Sequence, residues 1–446
     1  MRKIIIGFFA TVLCSASFGQ EVSQLTFSEA VQIALKNNVN LKQQRNQLSA
    51  SSMQKTSNLA RLGPSVTVNG NLGRNEGNSF NQQEGRVVNG VVDFMSGSLN
   101  ANMVLFNGMN RFNAYKQSQS QLESQIYTIE RTNQDVIQLV SLQFLQCLLD
   151  QELLSIDKGN LEAQTKQLEQ ITAQVDAGSR AKVDVYNQEF QVKNAELAVL
   201  RSQIRLRNDK ALLAQTLQID AQSDFEVLEP SWDVNEISMS EMQLEELYNI
   251  AQKNRADYQR ALADESAAKF GYQSQNGRYY PSITAFFSYG SQYNDVKGFN
   301  SRSFDQQFFE DNLQTTYGLS FNIPIFSGFQ TRSATVQTRV NYENAKLDVE
   351  NTETIVESDV LRAYQSYQDA ITNYQASKSQ LEAAQVSFNL EQERYKLGIS
   401  DLVQFTQANQ ALVGAKADLA QSSYTLLFQD TLLQYAIGTL KFEDIP

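Results

Sequence analysis

The sequence predicts an α+β membrane protein built from two tandem structural repeats, each giving two strands to a shared transmembrane β-barrel and one long hairpin to an α-helical coiled-coil barrel. Three observations carry this expectation. Landmark residues recur at a nearly constant offset, glycine and proline are segregated into two blocks, and those blocks hold segments of period-two hydrophobicity. The repeat comes first, because a missed duplication misassigns a fold. Ile33-Ala34-Leu35-Lys36-Asn37 recurs as Ile250-Ala251-Gln252-Lys253-Asn254, and Pro64-Ser65-Val66-Thr67 as Pro281-Ser282-Ile283-Thr284, both 217 residues on. Phe106-Asn107-Gly108 recurs as Phe326-Ser327-Gly328, and Gly178 as Gly398, both 220 residues on. The repeats are expected at 20–217 and 241–446, joined by a linker at 218–240 that carries Pro230 and the only tryptophan, Trp232.

At the N-terminus, Arg2-Lys3 precedes an apolar run from Ile4 to Cys14 and small residues to Gly19, the layout of a cleaved secretory signal. The run is too short to span a bilayer, which takes roughly 20 residues. Residues 1–19 are therefore expected to be removed, leaving Cys147 as the one cysteine and no internal disulfide. Lys and Arg total 37 against 49 Asp and Glu, a formal charge of -12, which argues against a nucleic-acid partner. The chain has no histidine, so Ser-His, Cys-His and His-metal chemistry is excluded. No acidic pair stands out as an alternative. The expectation is no enzyme, no cofactor and no metal.

Each Gly-rich block reads as a hairpin, expected at about 64–106 and 281–326. Val66, Val68 and Leu72 alternate with Ser65, Thr67, Asn69 and Asn71, and on the return Leu99, Ala101, Met103 and Leu105 alternate with Ser98, Asn100 and Asn102. In the second copy Ile283, Ala285, Phe287 and Tyr289 face away from Ser282, Thr284 and Ser288. Tyr317, Leu319, Phe321, Ile323 and Ile325 likewise face away from Thr316, Ser320 and Asn322. This is the pattern of strands with apolar residues toward lipid and polar residues toward a lumen. Arg74 to Ser96 and Ser291 to Leu313 read as long loops. Four strands cannot close a membrane barrel, so several chains must share one; spacing alone does not choose between two and three.

The helical blocks, Met109 to Asp176 and Phe329 to Lys396, would each reach about 100 Å as a continuous helix. Leu161, Leu168, Ile171 and Val175, and later Tyr364, Tyr367, Ile371 and Tyr374, recur at the three-four spacing of a coiled-coil seam. Each block ends at a lone glycine, Gly178 or Gly398, after which helical pattern resumes. A left-handed cap there reverses the chain and makes a tip.

These residues resemble the TolC-like outer-membrane efflux protein family. The resemblance rests on Leu25-Thr26-Phe27-Ser28-Glu29-Ala30 with Ala34 and Asn37, and on Leu105-Phe106-Asn107-Gly108 with Arg111. It continues through Gly178 to Asp184-Val185, Tyr395-Lys396-Leu397-Gly398 and Ala436-Ile437-Gly438-Thr439-Leu440. It implies a homotrimer with a 12-stranded barrel in outer-membrane lipid, continuous with a helical barrel crossing the periplasm. The implied function is the exit duct of an efflux or type I secretion system, docked to a periplasmic adaptor and an inner-membrane pump. The alternatives are a self-contained porin or a trimeric surface adhesin with a coiled-coil stalk. By the same resemblance, Pro64, Gly108, Pro281 and Gly328 mark strand-to-helix junctions, and Gly178, Ser179, Gly398, Ile399 and Ser400 form adaptor-docking tips. Asp184 and Tyr395 are implied to meet and close the periplasmic entrance. Gln404 and Gln407 stand where the family places cation-attracting acids, leaving Asp401 as the nearest acid, and Ser400 stands where it places a basic partner.

Overall fold

The computed structural model describes residues 23–81, 85–220, 225–229, 243–297 and 300–441. The expected signal segment lies outside these residues, as does most of the expected linker, with Pro230 and Trp232. The first repeat runs β1 (Ser23–Leu25), α1 (Phe27–Asn37), α2 (Val39–Ala60), β2 (Ser65–Asn81), β3 (Arg86–Phe106), α3 (Asn110–Asp176) and α4 (Lys182–Leu217). After β4 (Phe225–Val227), the second runs α5 (Leu244–Asn254), α6 (Ala256–Asn276), β5 (Ser282–Val296), a single turn α7 (Phe304–Gln306), β6 (Gln314–Asn322), α8 (Gln330–Lys396) and α9 (Leu402–Ala436).

The chain starts helical because its caps are in place. Thr26 and Glu29 form a reciprocal capping box on α1, and Asn38 accepts from the Leu41 amide to start α2. The main core forms a waist where α1, α3 and α4 meet, around Ala34, Val140, Phe144, Leu213 and Leu217. The expected linker contributes to it: β4 pairs in parallel with β1, and Phe225 and Val227 point into the core. Arg255, 1% exposed, ties the second repeat together. Its guanidinium donates to Asp257 at the start of α6, to Asp359 on α8 at 3.1 Å and to the Ala436 carbonyl at the end of α9.

The larger sheet has the order β2-β3-β5-β6, antiparallel throughout, so the inter-repeat junction is a strand pair. Across it, Val68, Leu99 and Tyr289 fall on one level, as do Val66, Ala101 and Phe287, and the expected apolar face is continuous. Three expectations are corrected. Ser291 to Leu313 is not all loop, because β5 runs on to Val296 and residues 304–311 are helical. Arg74 to Ser96 is mostly strand rather than loop, because cross-strand pairs carry it: Arg74 grips Asp93 through two hydrogen bonds and the Phe94 ring covers Gly73. β6 stops at Asn322 instead of continuing to Phe326, since Pro324 has no N–H to give to a ladder.

The sheet meets the helices at the expected junctions. Pro64 and Pro281 precede β2 and β5, while Gly108 (φ 63°) and Gly328 (φ 58°) precede α3 and α8. Met109 and Phe329, which follow them, are also left-handed, a conformation that bulky residues disfavour and that side-chain identity does not announce. At Gly108 the backbone passes so close to Gly277 that a Cβ would lie 2.2 Å from the Gly277 carbonyl oxygen. Gly328, its counterpart, meets nothing comparable within the chain. Among the described residues no helix is long and apolar enough to cross a membrane.

The faces of the sheet are open to test. Arg at Val68, which is 78% exposed on the apolar face, should cost insertion about 2–4 kcal/mol at mid-bilayer. Arg at Thr67, on the opposite face, should be tolerated. Folding titrations into lipid vesicles check this, and equal effects at both positions would reverse the assignment.

Candidate functional site: the helical tips

The two tips are built alike. α3 and α8 each run 67 residues and end in the same closure. The amide of Gly178 bonds the Val175 carbonyl and that of Ser179 the Gln174 carbonyl; Gly398 and Ile399 repeat this on Tyr395 and Arg394. Gly178 (φ +74°) and Gly398 (φ +73°) supply the left-handed residue that the closure needs. Leu397 and Ile399 project outward, 73% and 65% exposed.

Tyr395, one turn before the second tip, is 7% exposed and stacks on Phe405 of α9 at 4.9 Å, with Phe388 against the far side of the cluster. The family resemblance implied that its hydroxyl meets Asp184, but no contact between the two is found among the described residues. Arg180 stands between them. Its guanidinium donates to the Tyr395 hydroxyl, lies 4.6 Å over the same ring and reaches Asp184 at 3.9 Å. Arginine is suited to this place because one planar, permanently charged group can sit over a ring and reach a carboxylate together. Arg180 thus brings a cation to Tyr395 from the other hairpin, while position 400 is serine. Sequence reading missed Arg180 because a basic residue in a tight turn looks merely solvated; its spacing of four from Asp184 was the available signal.

The other residues expected at the entrance take structural places. Asp401 caps α9, its Oδ1 accepting from the Gln404 amide at 2.9 Å, so the carboxylate is already engaged. Ser400 is 8% exposed and lies within hydrogen-bond reach of Glu391 and Gln404. Gln404 and Gln407 are exposed. Among the described residues no group of three or more acidic, cysteine or histidine side chains could hold a metal ion.

A sheet with an apolar face, carried on two helical hairpins whose first arms are about 100 Å long, defines a membrane-seated channel with a helical stalk. The chain belongs to the outer membrane efflux protein family, whose sequence profile matches residues 30–217 and 247–439. It is 25% identical over 354 residues to outer membrane protein TolC of Escherichia coli K12, covering 78% of this chain and 70% of that one. In three dimensions it is similar to outer membrane protein VceC of Vibrio cholerae, at a TM-score of 0.79 and 15% identity over 92% of this chain and 96% of the other. It is also similar to the CmeC outer membrane channel of Campylobacter jejuni, at 0.76 and 16% over 98% and 94%. The chain is an outer-membrane efflux duct, and nothing in these likenesses favours a porin or an adhesin.

Removing the cap should loosen the tip without touching any cation site. Asp401→Ala should destabilise the start of α9 by about 1 kcal/mol. Faster amide exchange at residues 402–405 would register it.

Proposed function

We propose that three copies of this chain close a 12-stranded barrel over a helical barrel, and that the assembly passes cargo outward without acting on it chemically. One observation carries this reading. Within the chain, β3 pairs with β5 of the second repeat, and α3 packs on α6 and α9 of that repeat. Applied once more, the same step puts β2 of a next chain on β6, and α2 and α4 of a next chain on α8. The surfaces that this step would cover are those left bare. Tyr186, Phe190, Leu197, Leu200 and Ile204 make an exposed stripe on α4, while Val336, Val340 and Leu347 make one on α8. Gly328, free of the backbone neighbour that Gly108 has, fits the same step.

The tips are the place for partners. The exposed Leu397 and Ile399 would meet a periplasmic adaptor, which couples the duct to an inner-membrane pump. The Arg180 lock holds neighbouring hairpins together above the entrance. A hydrogen bond to a charged group contributes about 1.5–3 kcal/mol net, and threefold symmetry repeats it. That is enough to bias a two-state gate.

Mass measurement of the detergent-solubilised protein should give three chains; a stable monomer with an intact β signal would refute the assembly. In planar bilayers, Arg180→Ala and Tyr395→Phe should each raise single-channel conductance, and the double variant should add less than the two together. Unchanged conductance in both would assign closure to helix packing alone.

A further inference from the structure

On the apolar face of the sheet, one level carries almost no side chain: Gly70, Gly97 and Ser291 lie side by side in β2, β3 and β5. The notch is filled from outside the sheet. Phe308, in the connection between β5 and β6, lies over Gly97, its ring tip 3.2 Å from where a Cβ would be. The Ser291 hydroxyl is buried without a hydrogen-bond partner. Phe304 stacks on Phe308 at 5.1 Å and meets Tyr293, one level farther along the same face, at 5.3 Å; Phe309 completes the cluster and is 58% exposed.

The segment is held to the strand as well as to the face. The Gln307 side-chain amide accepts from the Asn294 N–H at 3.2 Å and donates to its carbonyl at 3.1 Å, doing for β5 what a neighbouring strand does below Gly290. Asn312 donates to the Gln292 carbonyl. This seat is therefore specific and not a loose collapse of an apolar loop.

Charge marks its height. Immediately beyond Tyr293 the same face carries Arg74, Asp93 and Asp295 on one level, joined by Lys297. Phe308 lies four residues below that level, about 10 Å of depth for a strand tilted about 40°. At the opposite end of the band, Tyr279, Tyr280, Phe326 and Phe329 are exposed. From Ile283 to Tyr293 the strand spans about 25 Å of height, the thickness of the apolar band of an outer-membrane barrel.

We propose that the 304–311 segment is a membrane anchor, with Phe304, Phe308 and Phe309 embedded at the headgroup–acyl boundary of the outer leaflet on the outside of the barrel, and not a flap over the channel mouth. It rests on the reading that this face meets lipid. The test uses the full chain with its single tryptophan changed, Trp232→Phe, reconstituted in phosphatidylcholine vesicles containing lipid brominated near the glycerol end or near mid-chain. Phe308→Trp should lose emission chiefly to the shallow bromolipid, Tyr289→Trp chiefly to the deep one, and Phe286→Trp, on the lumen face, to neither. Phe309→Trp gives a second reading that leaves the seat over Gly97 undisturbed. Loss of emission at 308 and 309 to aqueous iodide but not to bromolipid, with Tyr289→Trp still quenched by lipid, would overturn the anchor alone. No lipid quenching at Tyr289→Trp would overturn the face assignment and the anchor with it.

Discussion

Peptide groups at the edge of a sheet cannot be left unpaired in hydrocarbon, and most of this structure follows from that constraint. Each unsatisfied N–H or C=O costs several kcal/mol in lipid, so a four-stranded sheet with free edges at β2 and β6 is not a finished object. The duplication supplies the remedy. Two copies of one unit already contain one inter-repeat strand pair, so the contact that completes the barrel is a repetition of one already present. The Gly108–Gly277 crossing belongs to the same logic, since a tight approach inside the chain has a vacant counterpart at Gly328.

Below the sheet, long helices gain little from propensity and depend on packing and on a few polar ties. Arg255 is the main tie at the waist. Buried and bonded to two carboxylates and a helix-end carbonyl, it joins α6, α8 and the end of α9 at one point. Removing one member of such a network would leave charges without partners, which costs more than the network is worth as a whole. At the tip Arg180 performs a similar task in a wetter place. Its bond to Tyr395 joins residues 215 apart in sequence, and its reach to Asp184 is long and partly exposed, so the tyrosine side dominates.

Much of this was legible from sequence, for physical reasons. Strand parity shows because lipid and lumen impose opposite polarity on alternate residues, so Val66, Val68 and Leu99 declared their face. The helix ends showed because Gly178 and Gly398 are the residues that a left-handed cap favours. What escaped notice had several causes. Met109 and Phe329 take the left-handed conformation at the N-caps of α3 and α8 against the preference of bulky side chains. β1 and β4 are three residues each, too short to show a period. Arg180 needed Tyr395 to have meaning. Asp401, read as an entrance acid, is a cap, because a side chain just before a helix is more often engaged by the first turn than free for solute.

The equal lengths of α3 and α8 bear on how such a chain can change over time. An insertion of one residue in either arm would rotate everything below it by about 100° and lower its end by about 1.5 Å, turning the packed seam outward. A deletion would do the reverse. Changes in stalk length are therefore tolerable only when matched in both arms and sized to whole seam periods, so the reach across the periplasm should evolve in paired steps of about seven residues while loops and surface composition drift freely.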